Sequence, residues 1–143
     1  MPYSPMLVRP MREELTSAGV KELLTPQDVD AFMAEKSGTA MLVINSVCGC
    51  AAGMARPAVR LAMQHDRRPD RIATVFAGQD LEATARARSY IADIPPSSPS
   101  IAVFKDGELV NFIPRHRIES RTADAVAGDL VSIFNEHCEV PAS

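Results

Sequence analysis

The stretch Ala40–Met63, AMLVINSVCGCAAGMARPAVRLAM, decides how the chain is read. It opens with AMLVIN (Ala40–Asn45), an unbroken apolar run of strand length. Such a run belongs to a strand covered on both faces, as in a parallel sheet. From Cys50 the composition changes: CAAGMARPAVRLAMQH (Cys50–His65) is rich in alanine and helical in spacing. Pro57 lies inside that helix and predicts a kink, because it removes one backbone donor and crowds the preceding turn. At the junction stand two thiols, Cys48 and Cys50, with only Gly49 between them.

Moving outward, RIATVFA (Arg71–Ala77) reads as a second buried strand and DLEATARARSYIA (Asp80–Ala92) as a helix capped near Asp80. SIAVFKDGELVNFI (Ser100–Ile113) reads as a β-hairpin with Asp106-Gly107 as its turn. TADAVAGDLVSIFNEHC (Thr122–Cys138) is a closing amphipathic helix, and Glu139–Ser143 is expected to fray. Before the central strand, MLVRPMREELTSAG (Met6–Gly19) has helical spacing and a glycine stop. TPQDVDAFMAEKSG (Thr25–Gly38) has Thr25 as N-cap, Pro26 in the first turn, Asp28 behind it and Gly38 as its stop.

The first βαβ unit must cross over right-handed, giving two parallel strands, and the hairpin adds antiparallel ones. The expectation is an α/β fold: a mixed four-stranded sheet with helices on both faces and extra N-terminal helices. No repeat or linker divides the chain, so residues 1–143 are read as one domain, a size able to bury roughly 68–70% of its unfolded surface.

Composition narrows the function. The chain is 46% hydrophobic and 23% charged, a globular profile. Its formal net charge of −3 supplies no global basic field, so neither nucleic acid nor a membrane surface is an expected partner. MPYSPMLVRPMREEL at the N-terminus has no uninterrupted apolar segment, and no run is long enough to span a bilayer. A cytoplasmic protein is expected, and there three cysteines point to chemistry or core filling rather than structural disulfides.

The two thiols fall at the carboxyl end of a parallel strand, where open α/β sheets collect ligands. Cys48 precedes a helix N-terminus, whose partial positive charge and unpaired N–H groups favour thiolate over thiol. Its pKa is therefore expected below that of Cys50. In a regular helix two residues this close in sequence diverge, so Gly49 is expected to supply the unusual dihedrals that let Cys48 and Cys50 meet. A ring so small is expected to be strained and easily reduced. A stabilised Cys48 thiolate also leaves a mixed disulfide readily, so the site reads as one that forms and releases mixed disulfides. The alternatives are a buried, inert pair and a soft-metal or iron–sulfur carrier that pools Cys48 and Cys50 thiolates from two chains. One chain offers no Cys-x-x-Cys pair or ordered His set with zinc-site spacing.

A second segment bears on this choice. In SSPSIAVFKDGELV, Pro99 stands immediately before a strand, followed by Ser, three apolar residues, Phe, Lys, a variable residue and Gly. This pattern resembles the cis-proline segment of the thioredoxin superfamily. NSVCGCAAGMARPA, TVFAGQD, PPSSPSIAVFKDGELV and FIPRHRIE together resemble the bacilliredoxin family, and the likeness runs from PMREELTSAG to FNEHC. The resemblance implies a thioredoxin-like fold and a thiol–disulfide oxidoreductase that removes bacillithiol, or a similar small thiol, from S-thiolated cytosolic proteins, with weaker reductase or isomerase activity. It implies Cys48 as the attacking thiol and Cys50 as its partner, with no bound cofactor and no metal. Gly49, Ser98 and Pro99 are implied as substrate-binding, with a cis Ser98–Pro99 bond facing Cys48 and the backbone of Ser98 pairing with a bound polypeptide.

The remaining candidates read as structural. Cys138 reads as packed, with a distant resolving thiol as the alternative. His65 suits the C-terminal end of the Cys50–His65 helix. Arg115, His116 and Arg117 read as solvated, the alternative being contact with carboxylates on a bound small thiol. Arg86–Ser89, RARS, reads as a solvated helix face.

Overall fold

A seven-residue strand buried along its whole length, β2 (Thr39–Asn45), is the axis of the fold. Its residues alternate between two hydrophobic clusters. Met41 and Val43 face one side, and Ala40, Leu42 and Ile44 the other. This is why AMLVIN carries no polar alternation: neither face meets water. The computed structural model describes residues 2–140.

The element order is α1 (Pro5–Thr16), β1 (Lys21–Glu22), α2 (Pro26–Ala34), β2, α3 (Arg56–Ala62), β3 (Arg71–Phe76), α4 (Leu81–Ser89), β4 (Ser100–Lys105), β5 (Glu108–Ile113) and α5 (Ala123–His137). The sheet order is β1-β3-β2-β4-β5. β3 runs parallel to both β1 and β2, while β4 is antiparallel to β2 and β5 antiparallel to β4. One cluster packs Leu15 of α1, Ala58 and Val59 of α3, and Leu130 and Phe134 of α5 against Met41, Val43, Ile101 and Val103. The other packs Val29 and Phe32 of α2 and Ala83 and Ala87 of α4 against Leu42, Ile44, Val75 and Ala102.

Among the described residues the sheet has five strands, not four. The added strand is Lys21–Glu22, held beside β3 by main-chain pairing that continues in the bond from the Leu23 amide to the Thr74 carbonyl, 2.9 Å. Two charged residues show no hydrophobic pattern, and a strand defined only by its backbone leaves no trace in side-chain periodicity.

Local signals account for most of the boundaries. Thr25 and Asp28 form a capping box, the Thr25 hydroxyl accepting from the Asp28 amide and the Asp28 carboxylate from the Thr25 amide. Asp106 and Gly107 have φ of 50° and 85°, the doubly left-handed turn that matches hairpin twist. Asp80 precedes α4 without capping it, because its carboxylate is engaged elsewhere. Arg12 of α1 donates to both Asp80 oxygens at 2.8 and 2.9 Å and to Glu22 at 2.8 Å, and its guanidinium lies 5.3 Å from the Phe76 ring centre. Among the described residues no helix is long and apolar enough to cross a membrane. Glu139 and Val140 of the expected frayed tail are exposed and irregular, and residues 141–143 lie outside the described residues.

Candidate functional site: the Cys48–Gly49–Cys50 junction

β2 ends at Asn45, and the chain turns through Ser46 and Val47 into a helical run over residues 49–62. Cys48 occupies the capping position of that run. Its carbonyl accepts from the amides of Ala51 and Ala52 at 3.0 and 3.1 Å, and its Sγ accepts from the Cys50 amide at 3.3 Å. A side-chain acceptor at the N-cap takes one of the helix's orphan donors. Here that acceptor is sulfur, and the same N–H and helix field favour its anionic form once the thiol is reduced. The Cys48 amide in turn donates to Ser46 Oγ at 3.3 Å.

The two cysteines are joined as a disulfide with Cα atoms 5.4 Å apart, inside the span such a bridge requires. The bend that brings them together is at Cys48, which lies before the helix, and not at Gly49. Gly49 is helical, without positive φ, and a Cβ built on it would meet no atom within 4 Å. The expected role of Gly49 as the source of forbidden dihedrals is therefore corrected. Neither backbone strain nor crowding within the chain demands glycine there. The thiols differ in access: Cys50 is 7% exposed, while Cys48 is only half-buried and lines an open cavity of about 300 Å³.

After Cys50 the helix begins with a π-helical turn, Ala51–Ala55, closed by a bond from the Arg56 amide to the Ala51 carbonyl. Pro57 follows in the first turn of α3. The expected kink is thus resolved as a change from π to α hydrogen bonding just ahead of the proline, whose missing N–H then interrupts little.

The Ser98–Pro99 bond is cis, and Ser98 lines the same cavity as Cys48, together with Tyr3, Ser46, Val47, Ala77, Gly78, Arg88 and Arg115. Gly49, between the two thiols, is exposed and Pro99 is buried, and neither lines the cavity. Of the Arg115–Arg117 group, Arg115 alone reaches the cavity. Arg117 pairs with Asp129 at 3.5 Å, and His116 is exposed. His65 lies beyond the end of α3, its Nε2 2.7 Å from Asn135 Oδ1, a structural contact.

Two features escaped the sequence. Arg88, in a segment read as a solvated helix face, is half-buried at the cavity. It stands two positions from Arg86, which points away and pairs with Asp30. Arg56, 2% exposed, anchors the turn from below. It donates to the Ser46 carbonyl at 2.7 Å, to Asn45 Oδ1 at 3.0 Å and to Glu14 of α1. No local pattern marks an arginine on an alanine-rich helix as buried, since its three acceptors come from distant segments.

Cys138 is not part of the site. It packs in the cluster beneath α5, beside Thr39 at the start of β2, whereas Cys48 follows the strand's end about 20 Å away at 3.3 Å per residue. That separation rules out direct resolution by Cys138 in this fold. Burial pushes the Cys138 thiol up from its ordinary value. The folded state therefore holds its proton at pH values where the unfolded chain releases it. Its contribution to stability is complete below the ordinary thiol pKa and declines as pH rises towards the raised folded value. With Cys48–Cys50 oxidised in both proteins, Cys138→Ala should flatten the fall of unfolding free energy between pH 8 and 10 measured by urea titration. An unchanged slope would refute this.

Among the described residues no group of three or more His, Cys, Asp or Glu side chains is arranged to hold a metal. One chain supplies two thiols at this place.

The sequence pattern of the disulphide isomerase family matches residues 3–138. A bacilliredoxin of Halalkalibacterium halodurans is 56% identical over 96% of this chain and 95% of its own length. A bacilliredoxin of Salinibacter ruber is 58% identical over 96% of this chain and 82% of its own. Among solved structures, Fasciola hepatica thioredoxin superposes with a TM-score of 0.58 at 21% identity, covering 82% of this chain and 99% of its own. A reduced Schistosoma mansoni thioredoxin gives 0.54 at 19%, covering 80% and 97%. At that identity the likeness speaks for fold alone, and the fold is thioredoxin-like. The full-length match to the family and its relatives carries the rest: the chain belongs to the bacilliredoxins of the disulphide isomerase family, and is a thiol–disulfide oxidoreductase.

Proposed function

We propose that this protein removes a small thiol, bacillithiol or a close analogue, from S-thiolated proteins in the reducing cytoplasm. The observation that carries the reading is the asymmetry of the pair. Cys48 is accessible beside a cavity and accepts a helix N-terminal hydrogen bond, while Cys50 is buried one residue away. In the first step the Cys48 thiolate attacks the small-thiol sulfur of the mixed disulfide. The Cys48–small thiol bond forms as the old S–S bond breaks, and the target protein leaves as its thiolate. In the second step the Cys50 thiolate attacks Cys48 Sγ and expels the small thiol, or a second small thiol attacks the sulfur of the bound one and expels Cys48 as its thiolate. When Cys50 attacks, Cys48 and Cys50 end as the disulfide, and two electrons from an external thiol reductant restore them. The capping N–H steadies Cys48 as nucleophile in the first step, and as leaving group when an external thiol takes the small thiol from it. The names of the relatives support bacillithiol as co-substrate. Gly49 lacks a side chain on the exposed flank, which leaves room for a docked polypeptide, and the backbone of Ser98, which lines the cavity with Cys48, would pair with it.

The test mixes reduced protein with one equivalent of a protein carrying a single bacillithiol adduct and follows both by intact mass. The target should lose the bacillithiol mass, and this chain should lose two hydrogens or gain the adduct. A target that keeps its adduct while this chain stays reduced would overturn the reading.

A further inference from the structure

The cavity that opens beside Cys48 has a charge character opposite to the net charge of the chain. Its lining contains two arginines, Arg88 and Arg115, and no aspartate or glutamate, although the whole chain carries a net charge of −3. The two cations differ in how they are satisfied. Arg115 donates through Nε to Glu119 at 3.0 Å and through Nη1 to the Ser98 carbonyl at 3.5 Å, so it is tethered to the loop before Pro99. The Arg88 side chain makes no hydrogen bond or ion pair among the described residues, and its Nε is buried without a partner. Desolvation lowers the Arg88 pKa with no carboxylate to offset it.

A buried guanidinium donor left unpaired costs folding free energy, and arginine remains charged at any physiological pH. Its neighbour Arg86 shows the ordinary solution on the same helix, an ion pair with Asp30. Where Arg88 stands, the fold supplies the cation and withholds the anion. The planar fork of a guanidinium matches a carboxylate in two-point geometry. Tyr3 closes one side of the cavity, its ring over Gly78, where an added Cβ would come within 3.3 Å of it.

We infer that Arg88 and Arg115 form a carboxylate-binding subsite that holds the non-sulfur end of an anionic small thiol while its sulfur meets Cys48. The inference deepens the proposed function: it rests on small-thiol transfer at Cys48 and names the substrate class as thiols bearing a carboxylate. Arg88 is the vacant donor, and Arg115 ties recognition of the ligand to the Ser98 loop. Neutral or cationic small thiols find no counter-charge there.

The experiment compares one target protein carrying a mercaptosuccinate, a 2-mercaptoethanol or a cysteamine adduct. Each removal rate is normalised to that of dithiothreitol on the same adduct, which cancels intrinsic disulfide reactivity. The protein should favour the mercaptosuccinate adduct over the 2-mercaptoethanol adduct by about tenfold or more, and disfavour the cysteamine adduct. Arg88→Gln should bring the first ratio close to one, Arg115→Gln should lower it in part, and Arg88→Lys should retain some of it. Equal normalised rates for the three adducts, or a ratio untouched by Arg88→Gln, overturns the subsite and leaves the transfer reaction standing. A second measurement is independent of turnover: titration of the oxidised protein with succinate, followed by NMR of the arginine Nε–H signals. A shift of the Arg88 signal that succinamide does not produce supports the subsite even if no adduct is removed, an outcome that would end the transfer reading instead. Absence of that shift overturns the subsite. Should Arg88→Gln fail to fold, this titration and the Arg88→Lys ratio decide.

Discussion

Cys48→Ser should leave S-thiolated protein untouched, with transfer falling about a thousandfold or more, while Cys50→Ser should still strip the substrate and remain carrying the small thiol. The division follows from the geometry of the junction. Cys48 is the sulfur that faces the cavity and accepts the Cys50 amide at 3.3 Å, so an incoming disulfide meets Cys48 first. Cys50 is 7% exposed and does not line the cavity. Replacing Cys48 by serine keeps an acceptor for the capping N–H, so the fold should hold. It puts a hydroxyl, which does not ionise at physiological pH, where a thiol stood, and the nucleophile is lost. Replacing Cys50 removes only the internal resolving thiol. The adduct then persists until an external thiol attacks the bound small thiol's sulfur and expels the Cys48 thiolate. Intact mass after mixing each variant with one equivalent of bacillithiolated protein reads the outcome directly. An adduct on the Cys48→Ser protein with none on Cys50→Ser reverses the assignment of nucleophile. An adduct on neither folded variant sinks the transfer reading.

Legibility in the sequence followed the range of the interaction. Features fixed within a few residues could be read: the buried strand AMLVIN, the Thr25–Asp28 capping box, the Asp106-Gly107 turn and the placement of Cys48 before a helix. Each is set by periodicity or by a side chain acting on its own neighbours. The Ser98–Pro99 segment was legible only through its likeness to a known family, because nothing in the residues alone marks that bond as cis. What stayed hidden depends on partners far away in sequence. Lys21–Glu22 is a strand because β3 passes beside it. Asp80 fails to cap α4 because Arg12, 68 residues earlier, holds its carboxylate. Arg88 turns from surface residue to cavity wall because the turns after β2 and β3 and the loop before Pro99 converge next to it. Gly49 was given the wrong reason. The pattern was visible, but the backbone bend belongs to Cys48.

Arg56→Met should cost about 2–4 kcal/mol of unfolding free energy, the largest stability effect expected of any single change around the site. Among the described residues Arg56 is the bulkiest fully buried side chain, and its guanidinium has three acceptors: Glu14, Asn45 Oδ1 and the Ser46 carbonyl. Methionine fills much of the aliphatic volume and removes the charge, which spares its desolvation cost. Two effects remain. The Ser46 carbonyl and Asn45 Oδ1 lose a donor in a place water does not easily reach, at about 1–3 kcal/mol for each group left unsatisfied. The Asn45 oxygen keeps its bond from the Ser46 amide at 2.8 Å, which limits its share. Glu14, 40% exposed, can turn to solvent and adds little. These losses fall on the turn that positions Cys48, since Ser46 Oγ accepts the Cys48 amide. Urea denaturation of the oxidised proteins checks the magnitude. Glu14→Gln alone should cost less than Arg56→Met, because the glutamine oxygen can still accept from Arg56. The double variant should cost less than the sum of the two, because once Arg56 is gone the residue at position 14 has no buried partner to lose. A cost for Arg56→Met below about 0.5 kcal/mol, or strict additivity with Glu14→Gln, would show that the buried arginine does not hold the Ser46 turn in place.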